Sequence, residues 1–345
     1  MVTKETINKV RDANIFDVVS PVVQLKKEGI LFKGCCPFHG EKTPSFIVTP
    51  SKNIFKCFGC GEGGDAIHFV QKQFNKTFIE AVEYIAQELN IPVEYEQHTE
   101  EDVQRLEKSK LYRVINNKVA DFYHENLLAN KDALDYCLSR FDLETIKSWK
   151  IGYSSAKSEL SRLSWMKEYR TEAHELGLLL MSEKDQTLFD FFRDRIMFPI
   201  IDDRNDVIGF SARIWKESQN GEAKYINSKN SALFNKSKTL FGLHKAAAPI
   251  RKQQAGILVE GNTDVIAMHQ AECNTTIATC GTALTSDHCT WLKRNCTTVI
   301  IMRDADKAGS NAAQKDIELL TEHGLETKVV MLPEGKDPFD FINSK

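Results

Sequence analysis

The chain has 345 residues, 42% hydrophobic and 27% charged, with a formal net charge of -3. That composition excludes a collagenous, coiled-coil or mainly disordered chain, and the length leaves room for two or three domains. No apolar run approaches the ~18 residues of a membrane span, and MVTKETINKVRDAN is too charged for a secretory leader, so a cytoplasmic location is expected.

In chain order, Ile7, Val10, Ile15 and Val18 fall at roughly helical spacing, which predicts a short helix over 5–19. Residues 22–58 then read as short strands (VVQLKK, ILFKG, SFIVTP, NIFKCF) separated by Gly34, Gly40, Pro44 and Pro50. Two helices follow over 65–73 and 77–89. In the second, Phe78, Val82, Ile85, Ala86 and Leu89 share one face. The polar stretch 94–110 reads as a linker entering a helix, and 111–192 as mainly helical. Residues 195–245 mix short strands with turns. From 255 to 331, the strands GILVE, TTIAT, TTVIIM and TKVVM alternate with helices, as in a largely parallel sheet.

The net charge hides a segregation. Residues 21–60 carry six lysines against two glutamates, and 193–252 carry 12 Lys and Arg against 6 Asp and Glu. Residues 253–345 carry 8 against 13. Local fields of this kind, not the total, steer a polyanion.

Nine cysteines without a secretory leader read as metal ligands or buried thiols, not as a disulfide framework. Cys36 and His39 form a C-x2-H pair, and Cys57 and Cys60 a C-x2-C pair. Such pairs on two turns of a small sheet suit one tetrahedral, structural Zn²⁺, with Gly59, Gly61, Gly63 and Gly64 allowing the tight turn. Cys35, adjacent to Cys36, competes with it by spacing alone. Cys137, Cys273, Cys280, Cys289 and Cys296 are scattered and read as structural. Lys33, Lys42, Lys52 and Lys56, with Phe46, Phe55 and Phe58, offer charge and rings to a single-stranded nucleic acid; burial in a small core is the other role open to each ring.

Glu260 ends GILVE, Asp304 and Asp306 follow TTVIIM, and Asp337 follows TKVVM. In a parallel α/β sheet ligands sit outside the carboxyl ends of the strands, so these carboxylates are expected on one rim. Residues two apart on an extended segment point the same way, which accounts for the D-x-D spacing. Clustered carboxylates repel one another unless a hard cation such as Mg²⁺ neutralises them.

These motifs together resemble the bacterial-type DNA primases, over residues 5 to about 342. CPFHGEKTPSF and FKCFGCGEGGDAIHFV are similar to the primase zinc-binding domain. FFRDRIMFPIIDDRNDVIGFSAR and KYINSKNSALFNKSKTLFGLHKA are similar to the first half of its RNA polymerase domain. EGNTDVIA, GTALT, DADKAG and LPEGKDP are similar to its topoisomerase-primase (toprim) half. The resemblance implies an α+β multidomain chain: a zinc-ribbon domain over 1–97, a linker over 98–110, the template and nucleotide groove over 111–252, and a toprim subdomain over 253–345. It selects Cys36 over Cys35 as the first zinc ligand, with His39, Cys57 and Cys60.

It further implies synthesis of short RNA primers on a single-stranded DNA template from ribonucleoside triphosphates. Glu260, Asp304, Asp306 and Asp337 match its catalytic carboxylates, which hold Mg²⁺ or Mn²⁺; Glu260 is alternatively a general acid or base. Arg195, Arg213, Lys224, Lys236 and, in a weaker match, Arg140 correspond to basic positions lining its groove. The family's helicase-binding domain would lie beyond Lys345, so the chain reads as a fragment or a minimal form from a mobile element. In the alternative reading it is a single-stranded-DNA-binding module with impaired polymerase activity.

Three departures bear on the site. Where the family has Asp-Pro-Asp, this chain has Asp337-Pro338-Phe339, with Asp340 one place on. Asn262-Thr263-Asp264 replaces Tyr-Met-Asp after EG. Arg303 and Ala305 flank Asp304 where Phe and Gly are usual, and the arginine is expected to pair with one of the metal-site carboxylates or to contact phosphate.

Overall fold

A computed structural model describes residues 2–74, 76–95, 99–216, 221–333 and 335–343. It divides into two compact units, residues 1–103 and 104–345. Residues 96–98, inside the polar stretch 94–110 predicted as a linker, lie outside the described residues. Among the described residues no helix is long and apolar enough to cross a membrane.

The first unit begins with α1 (Lys4–Asp12) and α2 (Ile15–Val19) in place of one predicted helix. Asn14 makes the break: its Oδ1 accepts the Phe16 N–H at 3.0 Å and caps a new helix. Then come β1 (Lys26–Glu28), β2 (Leu31–Gly34), β3 (Phe46–Thr49), β4 (Ile54–Cys57) and β5 (Gly63–Gly64), an antiparallel meander in sequence order. The unit closes with α3 (Ala66–Phe74) and α4 (Phe78–Glu88). α4 starts at a capping box, in which Thr77 Oγ1 accepts the Glu80 N–H and Glu80 accepts the Thr77 N–H at 2.7 Å. Phe46, Phe55 and Phe69 are fully buried and interlock, with Phe46 stacked on Phe55 at 5.2 Å.

The second unit takes in most of α5 (Glu100–Ala129), followed by α6 (Lys131–Leu138), α7 (Leu143–Ser148), β6 (Gly152–Ser154) and α8 (Arg170–Glu175). Beyond residue 150 the predicted helical region is mixed, because β6 joins a sheet and β7 (Leu179–Met181) and β8 (Leu188–Asp190) form a separate hairpin. With β9 (Arg195–Ile201), β10 (Val207–Ile214) and β11 (Tyr225–Asn227), β6 builds an antiparallel sheet in the order β11-β10-β9-β6.

The second sheet uses β12 (Leu240–Phe241), β13 (Ala255–Val259), β14 (Thr276–Thr279), β15 (Thr298–Ile301) and β16 (Glu326–Val329), in the order β12-β14-β13-β15-β16. Only β12 runs antiparallel. Its helices are α9 (Leu243–Gln253), α10 (Asn262–Gln270), α11 (Ser286–Asn295), α12 (Lys307–Glu322) and α13 (Pro338–Asn343). One apolar core spans both sheets, from Ile196 and Phe198 on β9 to Val259, Ala278 and Val265. The chain leaves β13 for β14 on one side and returns to β15 on the other, so the strand order reverses at β13. Such a reversal opens a crevice at the carboxyl ends of the strands.

Candidate functional site

In the first unit, the ligating atoms of Cys36, His39, Cys57 and Cys60 all lie within 4.8 Å of one another. The Cys36 and Cys60 sulfurs are 3.9 Å apart, as are Cys57 Sγ and His39 Nδ1. Zn–S bonds of ~2.3 Å in a tetrahedron put sulfurs about 3.8 Å apart, so this donor set fits zinc. Cys35 is exposed and outside the group. Glu41 organises the loop: it accepts the backbone N–H groups of Cys36 (2.6 Å) and Ser45 (3.1 Å) and lies 3.2 Å from His39 Nε2. A carboxylate on Nε2 leaves Nδ1 free to ligate. At Gly59 a Cβ would lie 2.7 Å from His39 Nε2 and 2.8 Å from Ser45 Oγ, so only glycine fits between the second pair.

Burial raises the Cys57 thiol, but hydrogen bonds from Ser45 and from the Cys60 and Gly59 backbones outweigh it and bring the group down to about 6. Burial and neighbouring thiols push Cys36 up to about 12. One thiolate is thus formed easily and another only when a cation displaces its proton. Phe46 and Phe55 belong to the core, whereas Phe58, between the second pair of ligands, is 73% exposed.

In the second unit, a groove of about 730 Å³ is lined by Glu260, Asp304 and Asp337 together with Arg140, Arg213 and Lys224. Glu260 follows β13 and Asp304 follows β15, on either side of the crevice. The loops of Asp304 and Asp337 are joined where the Ala305 N–H donates to the Lys336 carbonyl at 3.1 Å. Asp306 is exposed and caps α12, accepting the Gly309 N–H at 2.6 Å. A Cβ on Gly309 would lie 2.2 Å from the Asp304 carbonyl oxygen, so the helix can start this close to the acid only with glycine there.

Two carboxyls stand well above the ordinary aspartate range. Burial, then repulsion from Glu260, Asp337 and Asp306, raises Asp304 to about 6. Burial and repulsion from Asp337, Asp304 and Glu260 raise Asp264 to about 7. Asp264 was not singled out as a site residue from the sequence. Its signal was its place four residues after Glu260, one turn into α10, where it accepts the Gly261 N–H at 2.9 Å. Asp304, Asn227, Arg140 and Arg213 line the groove, and Asp304 Oδ1, Asn227 Oδ1, Arg140 Nε and Arg213 Nε are buried without a hydrogen-bond partner among the described residues. Mutually repelling acids and an orphaned carboxylate oxygen fit a hard divalent cation; the orphaned guanidinium nitrogens fit an anion.

The other basic positions behave differently. Arg213 Nη1 donates to Tyr225 Oη at 2.9 Å, and Tyr225 Oη lies 3.1 Å from Thr263 Oγ1, a bridge from one sheet to the start of α10. Arg195 is buried outside the groove lining, donating to the Ala223 carbonyl at 3.0 Å; it holds the segment leading to Lys224. Lys236 also lies outside the lining, its carbonyl 3.1 Å from His288 Nε2. Arg303 lines the groove but makes no ion pair with Asp304 among the described residues. Its Nε and Nη2 donate to Asp316 Oδ2 on α12 at 2.9 and 2.6 Å, both residues being buried.

A family model described as CHC2 zinc finger matches residues 2–101. One described as DNA primase catalytic core, N-terminal domain, matches 122–247, and a Toprim-like model matches 257–342. DNA primases of Clostridium acetobutylicum and Geobacillus stearothermophilus are each 39% identical over 99% of the chain. The chain spans little more than half the length of these curated relatives, 57% and 58%. The crystal structure of the Aquifex aeolicus primase zinc-binding and RNA polymerase domains is similar at a TM-score of 0.65 and 36% identity, covering 98% of this chain and 82% of that one. A DnaG primase catalytic domain bound to ssDNA is similar at a TM-score of 0.62 and 29% identity, covering 70% and 79%.

Proposed function

Because the chain belongs to the bacterial-type DNA primase family, we propose that it synthesises short RNA primers on single-stranded DNA from ribonucleoside triphosphates. The observation that carries the reading is the groove in which carboxylates from separate strand ends face a guanidinium and ammonium set. Nucleotidyl transfer needs that pairing: acids to hold a cation, and cations of the chain to hold phosphates.

Glu260, Asp304 and Asp337 are the proposed ligands of Mg²⁺ or Mn²⁺, with Asp306 and Asp264 shaping the field around them. The cation, when bound, would supply Lewis-acid activation of the primer hydroxyl that attacks the α-phosphate and would stabilise charge on the departing pyrophosphate. Arg213 and Lys224 track phosphates without reading bases, so template binding weakens as salt rises. Arg195 acts indirectly, by holding the backbone beside Lys224. In the first unit Cys36, His39, Cys57 and Cys60 hold a structural zinc, and the exposed Phe58 offers a ring on which a template base can stack.

The test is synthesis of labelled oligoribonucleotides on a single-stranded template with Mg²⁺ or Mn²⁺. Product that depends on template and cation is the expected result. Template binding with no product, even with manganese, would replace the enzyme by a binding module.

A further inference from the structure

Residue 339 is a phenylalanine just after the loop that carries Asp337, and its surroundings give it a task of its own. Phe339 is buried at the start of α13, its ring edge-on to Phe141 at 5.8 Å. The Arg140 guanidinium carbon lies 4.1 Å from the centre of the Phe339 ring and 5.9 Å from that of Tyr136. Arg140 lines the groove beside Asp304 and Asp337, and its Nε is buried without a partner among the described residues. An aromatic ring holds a guanidinium by its face and leaves the in-plane N–H donors unused. A carboxylate at 339 would instead draw those donors into an ion pair and add one negative charge to an already crowded rim.

We propose that Phe339 is a positioning residue that presents the in-plane donors of Arg140 to the triphosphate oxygens of the incoming nucleotide. This rests on the primer-synthesis reading for the identity of the ligand. A ring here adds no charge to the cation's side of the groove and leaves the donors of Arg140 to the anion. The groove so arranged takes a nucleoside triphosphate with its cation.

The probe is inorganic tripolyphosphate with excess Mg²⁺, titrated calorimetrically into the full chain. Arg140→Ala is expected to weaken binding at least tenfold. Phe339→Leu, which keeps apolar volume and loses the ring, is expected to weaken it about tenfold, the size of a desolvated cation–ring contact. Phe339→Tyr restores the ring and is expected to bind within about twofold of the unaltered chain. Adding Phe339→Leu to Arg140→Ala is expected to cost little more. A melting temperature for each variant separates lost positioning from lost folding, and the tyrosine variant keeps the test decisive if leucine unfolds α13.

The proposal is overturned if Phe339→Leu melts normally and binds like the unaltered chain. It is equally overturned if the leucine change costs the same with Arg140 absent, or if the unaltered chain does not bind the probe. The underlying reading fails separately: tripolyphosphate held through Arg140 by a chain that makes no primers sinks the enzyme and leaves the Phe339–Arg140 pair standing.

Discussion

The thiol cluster of the first unit and the acidic groove of the second are both built to meet a cation, and they are built oppositely. Three soft sulfurs and one imidazole nitrogen sit within 4.8 Å of one another, on tight turns over a plug of interlocked phenylalanine rings. The acids of the groove come from the ends of β13, β15 and the loop after β16; among the described residues only the thiol cluster gathers its donors so closely. Closed donor sets with no open position serve structure, whereas an open set with orphaned polar atoms leaves room for a substrate to complete it. The field follows the same division. In the cluster, hydrogen bonds bring one thiol down to about 6, ready to ligate; in the groove, burial and mutual repulsion hold Asp304 and Asp264 near 6 and 7.

If the cluster is structural, its loss is the largest effect. We expect Cys57→Ser to release zinc and unfold residues 30–64, since a structural zinc contributes on the order of 10 kcal/mol to folding. Metal analysis with circular dichroism reads this directly, and unchanged zinc content in the variant would contradict it. If the groove is catalytic, the converse holds: Asp304→Ala should leave the melting temperature and template binding nearly intact and lower primer synthesis by about a thousandfold or more. A binding loss as large as the rate loss would make Asp304 structural and erase the contrast.

A middle-sized effect tests what scaffolds the groove. Arg303→Leu strands Asp316 in the core, and we expect denaturant unfolding to show a loss of about 3–5 kcal/mol. The double change Arg303→Leu with Asp316→Leu should recover most of it. A double variant as unstable as the single one would mean that the pair itself, not the abandoned charge, matters.

The smallest effect is on pH. Asp304 and Asp264 are raised in the folded chain above the usual aspartate value near 3.8. The folded state therefore binds more protons than the unfolded one between about pH 4 and 7. Their stabilising contribution is complete below about pH 4 and is lost as pH rises through 6 and 7. In chelator, the melting temperature of the second unit should fall over that window, and Mg²⁺ should raise it more at pH 8 than at pH 5. A Mg²⁺ effect that is flat with pH would separate these carboxyls from the cation.

Much of this contrast was legible in the residues. The zinc ligands sit in two short pairs whose geometry is local, and the strand-end acids follow apolar runs that only a parallel sheet explains. What escaped depended on partners distant in sequence or on burial. Asp264 stands four residues after Glu260, and only its burial in the first turn of α10 sets it among the acids. Arg303 lines the groove beside Asp304, but its partner is Asp316, 13 residues on in α12, which no spacing rule selects. Arg195 had the right charge in the right motif, yet the pleat of β9 turns it into the sheet, where it bonds backbone. Asn14 shows the opposite case, a cap visible in the sequence that the helical spacing across 5–19 concealed.

The strand order of the second sheet also sets a schedule. The zinc ligands lie between residues 36 and 60, inside a contiguous unit ending near 103. That unit can fold and be metallated as soon as it leaves the ribosome. The central strand β13 emerges before β14, β15 and β16, its neighbours and their extension, and the groove lacks an acid until residue 337 has been made. Synthesis at ~5–20 residues per second separates the two events by many seconds. During that interval the first unit is complete in sequence while the second sheet still lacks strands beside β13.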